Sequence, residues 1–198
     1  MTPTQILKDE HRVIEQVLNC LEKMIEKSLT EKKLDATDAR DAVAFFRGFA
    51  DKCHHAKEEE RLFPLMESRG IPRQQGPIGV MLFEHEEGRG HVRAMEAAVE
   101  AAERGNLSAL LDFAHHGQAY IGLLRQHIEK EDHCLFSMAD QVMSPDDQAK
   151  LLQEFERLER EEAGAGLHEK YLGIAARLSQ RYGVAQANVK RATERLTL

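Results

Sequence analysis

The sequence predicts an all-α protein: an up-down-up-down four-helix bundle with an additional C-terminal helical segment. Three observations carry this. Apolar residues recur at steps of three and four through four long stretches, the period of an amphipathic helix. Short runs of turn-forming residues separate the stretches: SLTEKKLDATD, RGIPRQQGP and Gly105-Asn106. There is no tryptophan, there are only five prolines, and 31% of the residues are charged, a composition that suits helices and leaves few breakers inside them.

The first helix is expected over 3–27, capped by Thr2 or Thr4 with Pro3 in its first turn. Its apolar stripe is Leu7, Ile14, Leu18, Leu21 and Ile25, and His11 falls on the same stripe. The second is expected over 37–69, ending at Gly70 before Pro72, with Pro64 kinking it. Its stripe of Ala42, Phe46, Phe49, Ala50, Leu62 and Leu65 passes through His54 and Glu58. His55 and Glu59 have the same spacing but lie about 100° round the helix. The third helix is expected over 77–104, with Ile78, Met81, His85, Gly88, Val92, Met95, Val99 and Ala102 on one face and Arg89 and His91 off its centre. The fourth, over 107–143, carries Leu110, Phe113, Gly117, Tyr120, Leu124, His127, Glu131, Leu135 and Met138. Ser144-Pro145-Asp146 restarts the chain. A fifth helix then breaks at Gly164-Ala165-Gly166, a further segment carries Leu167, Tyr171, Ile174 and Leu178, and the last dozen residues form a short helix. Residues 1–143 are thus expected as the bundle and 144–198 as an extension packed on it.

The 198 residues suffice for one well-buried domain with an appendage. A net charge of −7 disfavours nucleic acid and anionic membranes as partners. No apolar run is long enough to span a bilayer, and the N-terminus lacks the pattern of a signal peptide. Three cysteines, Cys20, Cys53 and Cys134, without CxxC spacing read as reduced thiols of a cytoplasmic protein.

The chemistry lies in a repeat. HHAKEEERLFPLM (54–66) aligns without gaps on HIEKEDHCLFSM (127–138), so that His54 meets His127, Lys57 meets Lys130 and Glu58 meets Glu131. Each copy sets a histidine and a glutamate one helical turn apart on one face. Counted along the expected helices, His11, His54, His85 and His127 come to one level within roughly 2–3 Å, at a rise of ~1.5 Å per residue. Burying four imidazoles and two carboxylates without a partner would cost several kcal/mol, and a cation removes that cost. The set exceeds one tetrahedral zinc site and suits two ions bridged by Glu58 and Glu131. Mixed nitrogen and oxygen donors favour iron or manganese over calcium or magnesium, with zinc also possible. Neither HExxH, a phosphate loop nor a G-x-S-x-G elbow is present.

The stretches DEHRVIEQ (9–16), HHAKEEERLFPLM, FEHEEGR (83–89) and HIEKEDHCLF (127–136) resemble the hemerythrin-like, or HHE, cation-binding family over about residues 5 to 140. The resemblance implies a non-haem di-iron centre with His11, His54, His85 and His127 as ligands and Glu58 and Glu131 as bridges. It implies a small diatomic ligand or peroxide, with an electron-donor protein as a further partner. The alternative is an iron, oxygen or redox sensor, or an iron store, signalling through the C-terminal helices. Oligomeric state and turnover stay open. The family's oxygen carriers have a second histidine where Arg89 stands. His91, or a carboxylate such as Glu59 or Asp132, is a candidate substitute, and so is His55. Glu162 or His168 from the extension is a candidate cap, Tyr120 a candidate donor to bound peroxide, and Phe46, Phe49, Leu124 and Met81 the candidate wall controlling access.

Overall fold

Capping side chains mark where four of the six described helices begin. The structure is a computed structural model that describes residues 1–163 and 166–187, and among them are six helices and no strand. Helix α1 is Pro3–Glu31: the Thr2 hydroxyl accepts from the Gln5 amide, and Pro3 occupies the first turn. It ends a turn beyond the expected residue 27, at Lys32, which takes a left-handed φ of 53°. Helix α2 runs continuously over 36–68, started by the Asp35 side chain accepting from the Asp38 amide. Helix α3 is Pro77–Glu103. Helix α4 covers 107–142 and is capped by Asn106 on the Ala109 amide. Helix α5 is Pro145–Ala163, opened by a reciprocal box: Asp147 N–H donates to the Ser144 hydroxyl, and Ser144 N–H donates to the Asp147 carboxylate. Helix α6 is Leu167–Tyr182, flanked by Gly166 and Gly183, whose φ of 102° and 61° favour glycine. Of the expected break at Gly164-Ala165-Gly166, Gly166 precedes α6, and Gly164 and Ala165 lie outside the described residues. The expected short terminal helix and the side chain of Glu162 lie outside the described residues.

Helix α2 departs from the expected regular helix. Residues Phe46–His55 and Glu58–Leu62 are π-helical, with i→i+5 hydrogen bonds. Helix α4 contains the matching turn, Glu131–Leu135. Pro64 is not the cause, because the second copy has Ser137 in its place. Both π turns begin at the glutamate of the repeat, so they accompany the site. Each shifts the buried face by one position: Phe63 and Met66 are buried beside Leu62, whereas Leu65, expected on the stripe, is only half-buried.

The apolar interior is divided into two clusters. One holds Val13 to Ile25 of α1, Phe45 to Ala50 of α2, Val92 to Ala102 of α3 and Leu110 to Ile128 of α4. The other holds Leu7, Leu62, Phe63, Met66, Ile78, Met81, Leu135 and Phe136. On each of the four helices the candidate site residues fall between the two. Helix α5 adds Leu151 and Phe155 to the smaller cluster, and α6 adds Tyr171, Ile174 and Leu178 to the larger. The arrangement is consistent with a four-helix bundle carrying two further helices.

Close packing of α6 depends on Gly48, where a Cβ would lie 1.9 Å from the Tyr171 ring. Gly48→Ala should therefore destabilise the chain by about 1–3 kcal/mol in urea unfolding. Gly122 has open space around it, so Gly122→Ala should be stabilising by roughly 0.5–1 kcal/mol.

Candidate metal centre

Five imidazoles and two carboxylates from four helices meet in the layer between the clusters. His11, His54, His55, His85 and His127 are each at most 4% exposed, and Glu58 and Glu131 are fully buried. Their ligand atoms form two overlapping sets, each within 4.8 Å: His11, His54, Glu58 and Glu131, and then His55, Glu58, His85 and His127. Glu58 spans both, with one oxygen 3.7 Å from His54 Nε2 and the other 3.5 Å from His85 Nε2. Glu131 spans them as well, one oxygen lying 3.2 Å from both His11 Nε2 and His127 Nε2.

Four of the imidazoles are aimed by carboxylates that the sequence reading missed or left open. His11 Nδ1 meets Asp132 at 2.8 Å, His54 Nδ1 meets Glu10 at 2.9 Å, His85 Nδ1 meets Glu59 at 2.6 Å and His127 Nδ1 meets Glu84 at 2.9 Å. An ionised carboxylate can only accept, so each Nδ1 carries a proton and each Nε2 faces the interior. Every one of these carboxylates is itself held by a cation: Asp132 by Arg12, Glu10 by Lys57, Glu59 by Arg89 and Glu84 by Lys130. Burial raises the Glu10 carboxyl, but Lys57 and His54 outweigh it and bring it down to about 2. The signal for Glu10 and Glu84 was present in the sequence: each directly precedes a site histidine. What hid them is that each serves the histidine of the neighbouring helix.

The charges do not balance among these groups alone. Burial, and then the Glu131 charge, push Glu58 well above the usual carboxylate range. Burial also raises Glu131, but His127 and His11 outweigh it and hold Glu131 low. Burial drives His54 down to about 3, whereas Glu131 and Glu84 overcome burial at His127 and bring it up to about 9. Both oxygens of Glu58 and of Glu131, His11 Nε2 and both ring nitrogens of His55 are buried without a well-formed hydrogen bond. His85 Nε2 and His127 Nε2 face each other at 3.1 Å, a contact that holds only while His127 keeps a proton on Nε2. Cations between these atoms would satisfy all of them at once, so the donor set fits divalent metal.

Comparison with known proteins agrees. The model of the hemerythrin HHE cation-binding domain matches residues 2–139. The chain belongs to the hemerythrin HHE cation-binding family. It is also 23% identical over 184 residues to uncharacterised proteins of Mycobacterium tuberculosis and Mycobacterium bovis, covering 93% of this chain and 71% of each relative. No solved structure matches it.

In this hemerythrin domain the remaining candidates take distinct places. Arg89 stands at the position of the oxygen carriers' extra histidine and donates Nε to Asp51 and Nη2 to Glu59. The fifth imidazole is His55, brought in from α2, where the π-helical segment buries it beside His54. His91 is not in either set; its Nδ1 is 3.1 Å from His116 Nδ1 on the α3–α4 seam. His168 lies against Phe49, ring centres 5.4 Å apart, also away from the site. Tyr120 is buried edge-on to Phe46, and burial together with the Asp51 charge raises its phenol. With Phe46, Leu124 and His55 it lines a cavity of about 160 Å³. Phe49 and Met81, expected in the access wall, do not line that cavity; Met81 belongs to the smaller apolar cluster.

If the outer carboxylates aim the imidazoles, Glu10→Gln and Glu59→Gln should each weaken metal affinity by about 10–100-fold in competition with a chromogenic chelator. Glu60→Gln, on the exposed side of the same turn as Glu59, should leave the affinity unchanged.

Proposed function

We propose that this chain is a hemerythrin-like non-haem di-iron protein that binds or reacts with O₂, NO or peroxide. One observation carries the reading: the buried, partnerless atoms of His11, His55, Glu58 and Glu131 belong to two donor sets that share Glu58. In this reading His11 and His54 serve one ion and His55, His85 and His127 the other, with Glu58 and Glu131 between them. The nitrogen and oxygen donors suit iron, and manganese or zinc as substitutes.

The alternation of the clusters along the chain supports an up-down-up-down path. Helix α1 runs from the smaller cluster to the larger, α2 back, α3 forward again and α4 back. On this path residues 1–143 make the metal-binding bundle, and the described part of 144–198, residues 144–163 and 166–187, makes an extension covering its side. When bound, the iron pair would supply electrons and a coordination position for the small ligand. The protein's part is to hold the imidazoles by their outer carboxylates and to limit water with Phe46, Tyr120 and Leu124 beside the cavity. Among the described residues no helix is long and apolar enough to cross a membrane. We place the protein in the cytoplasm, with an electron-donor protein as the partner that turnover would require.

A second reading, a sensor or iron store, is favoured by one contact. Lys57, fully buried, pairs with Glu10 and also with Glu159 of α5 at 2.6 Å. Helix α5 is thereby joined through Lys57 and Glu10 to His54. Reconstitution with ferrous iron, followed by O₂, NO or H₂O₂ and recorded by absorption spectroscopy, separates the readings. Multiple turnovers support reaction, and a single reversible change supports carriage or sensing.

Elemental analysis of the purified chain should find two metal ions per molecule, mainly iron. Glu58→Ala and His127→Ala should each lower both the metal content and the thermal midpoint. Unchanged iron stoichiometry in both variants would overturn the assignment.

A further inference from the structure

His55 is held differently from the other four imidazoles. Each of those donates Nδ1–H to a carboxylate at 2.6 to 2.9 Å. For His55 the nearest carboxylate, Asp51, stands 3.6 Å from Nδ1, beyond hydrogen-bonding range. Asp51 is already engaged by Arg89 Nε at 2.8 Å. The His55 ring rests instead on His85, with centres 3.8 Å apart and planes 14° from parallel. Stacking fixes a ring's plane far less than a charge-assisted hydrogen bond fixes its direction.

His55 is also the imidazole of the five that lines the cavity described above. The cavity's 160 Å³ has room for about five waters at ~30 Å³ each, enough for a ligand of a few atoms. Its lining carries Arg47, Lys52, Arg89 and Arg93 beside Asp51 and Glu84; Arg47, Arg89 and Arg93 are paired with Glu96, Glu59 and Glu86, so their guanidinium groups line the opening as hydrogen-bond donors to an incoming anion.

We propose that His55 is the exchangeable donor of the three-histidine set, and that a small anion entering through this cavity takes its place. The inference rests on the di-metal reading above. The step is a ligand substitution. The bond between a His55 ring nitrogen and the metal breaks, and a lone pair of the anion forms the new one. The released ring keeps its proton and turns it toward Asp51. No electron changes hands. His11, His54, His85 and His127 stay where their carboxylates hold them.

The test uses the intact chain loaded with ferric iron and azide as the probe, followed by stopped-flow absorbance. In the wild-type chain the observed rate should rise with azide and then level off, because departure of His55 becomes limiting. A rate that stays linear at all azide concentrations overturns the proposal, since it means the position is already open. His55→Phe keeps a ring on His85 and removes both nitrogens. It should retain two irons per chain, respond linearly to azide and bind it about tenfold tighter or more, because no fraction of sites remains closed. Loss of one iron in that variant, or unchanged azide affinity, overturns the role of His55 while a two-iron wild-type chain keeps the di-metal reading standing. A wild-type chain that takes up no iron strikes that reading itself.

Discussion

Two carboxylates, Glu58 and Glu131, are buried completely between two apolar clusters. An isolated charge in such a place is costly, and two of like sign are worse. Much of the surrounding architecture can be read as an answer to that constraint. Imidazoles from all four helices turn toward the carboxylates. The π turns begin at these two residues and set which neighbours share their face. Cations held here would neutralise both carboxylates, so metal binding and folding are expected to be linked.

The imidazoles are fixed by a closed circuit. His11 of α1 is held from α4, His127 of α4 from α3, His85 of α3 from α2 and His54 of α2 from α1. Each link is a hydrogen bond to a charged group, of the kind that contributes about 1.5–3 kcal/mol. The circuit ties each helix to its neighbour at the level of the site, and Arg12, Lys57, Arg89 and Lys130 brace it from outside. The two halves of the chain repeat the same pairings: Glu10, Lys57 and His54 correspond to Glu84, Lys130 and His127. The repeat is broken in two places. His55 has Ile128 as its counterpart, and Lys57 is sealed by Glu159 of α5 while Lys130 remains partly exposed. The asymmetry therefore distinguishes one donor set from the other.

The helical period read from the sequence located the long helices and brought out His11, His54, His85 and His127 together with Glu58 and Glu131. Periodicity reaches these buried positions because burial selects apolar neighbours three and four residues away, so a polar residue on the stripe stands out. It failed at His55. A regular helix turns that residue away from His54, and nothing in the local residue types announces a π-helical segment. It failed again at the outer carboxylates. Glu10 and Glu84 read as ordinary charged positions beside a stripe, and their role depends on which helix stands next to them.

The sequence by itself determined the all-helical class, the helix restart at Ser144 and the repeated histidine–glutamate pairs, all of which follow from interactions between residues close in the chain. Only the tertiary structure decided that Arg89 braces Asp51 and Glu59, that His55 faces the cavity, and that each carboxylate serves the helix beside its own. Those relations join residues 26 to 121 positions apart, and they exist only once packing has set the rotation of each helix about its axis.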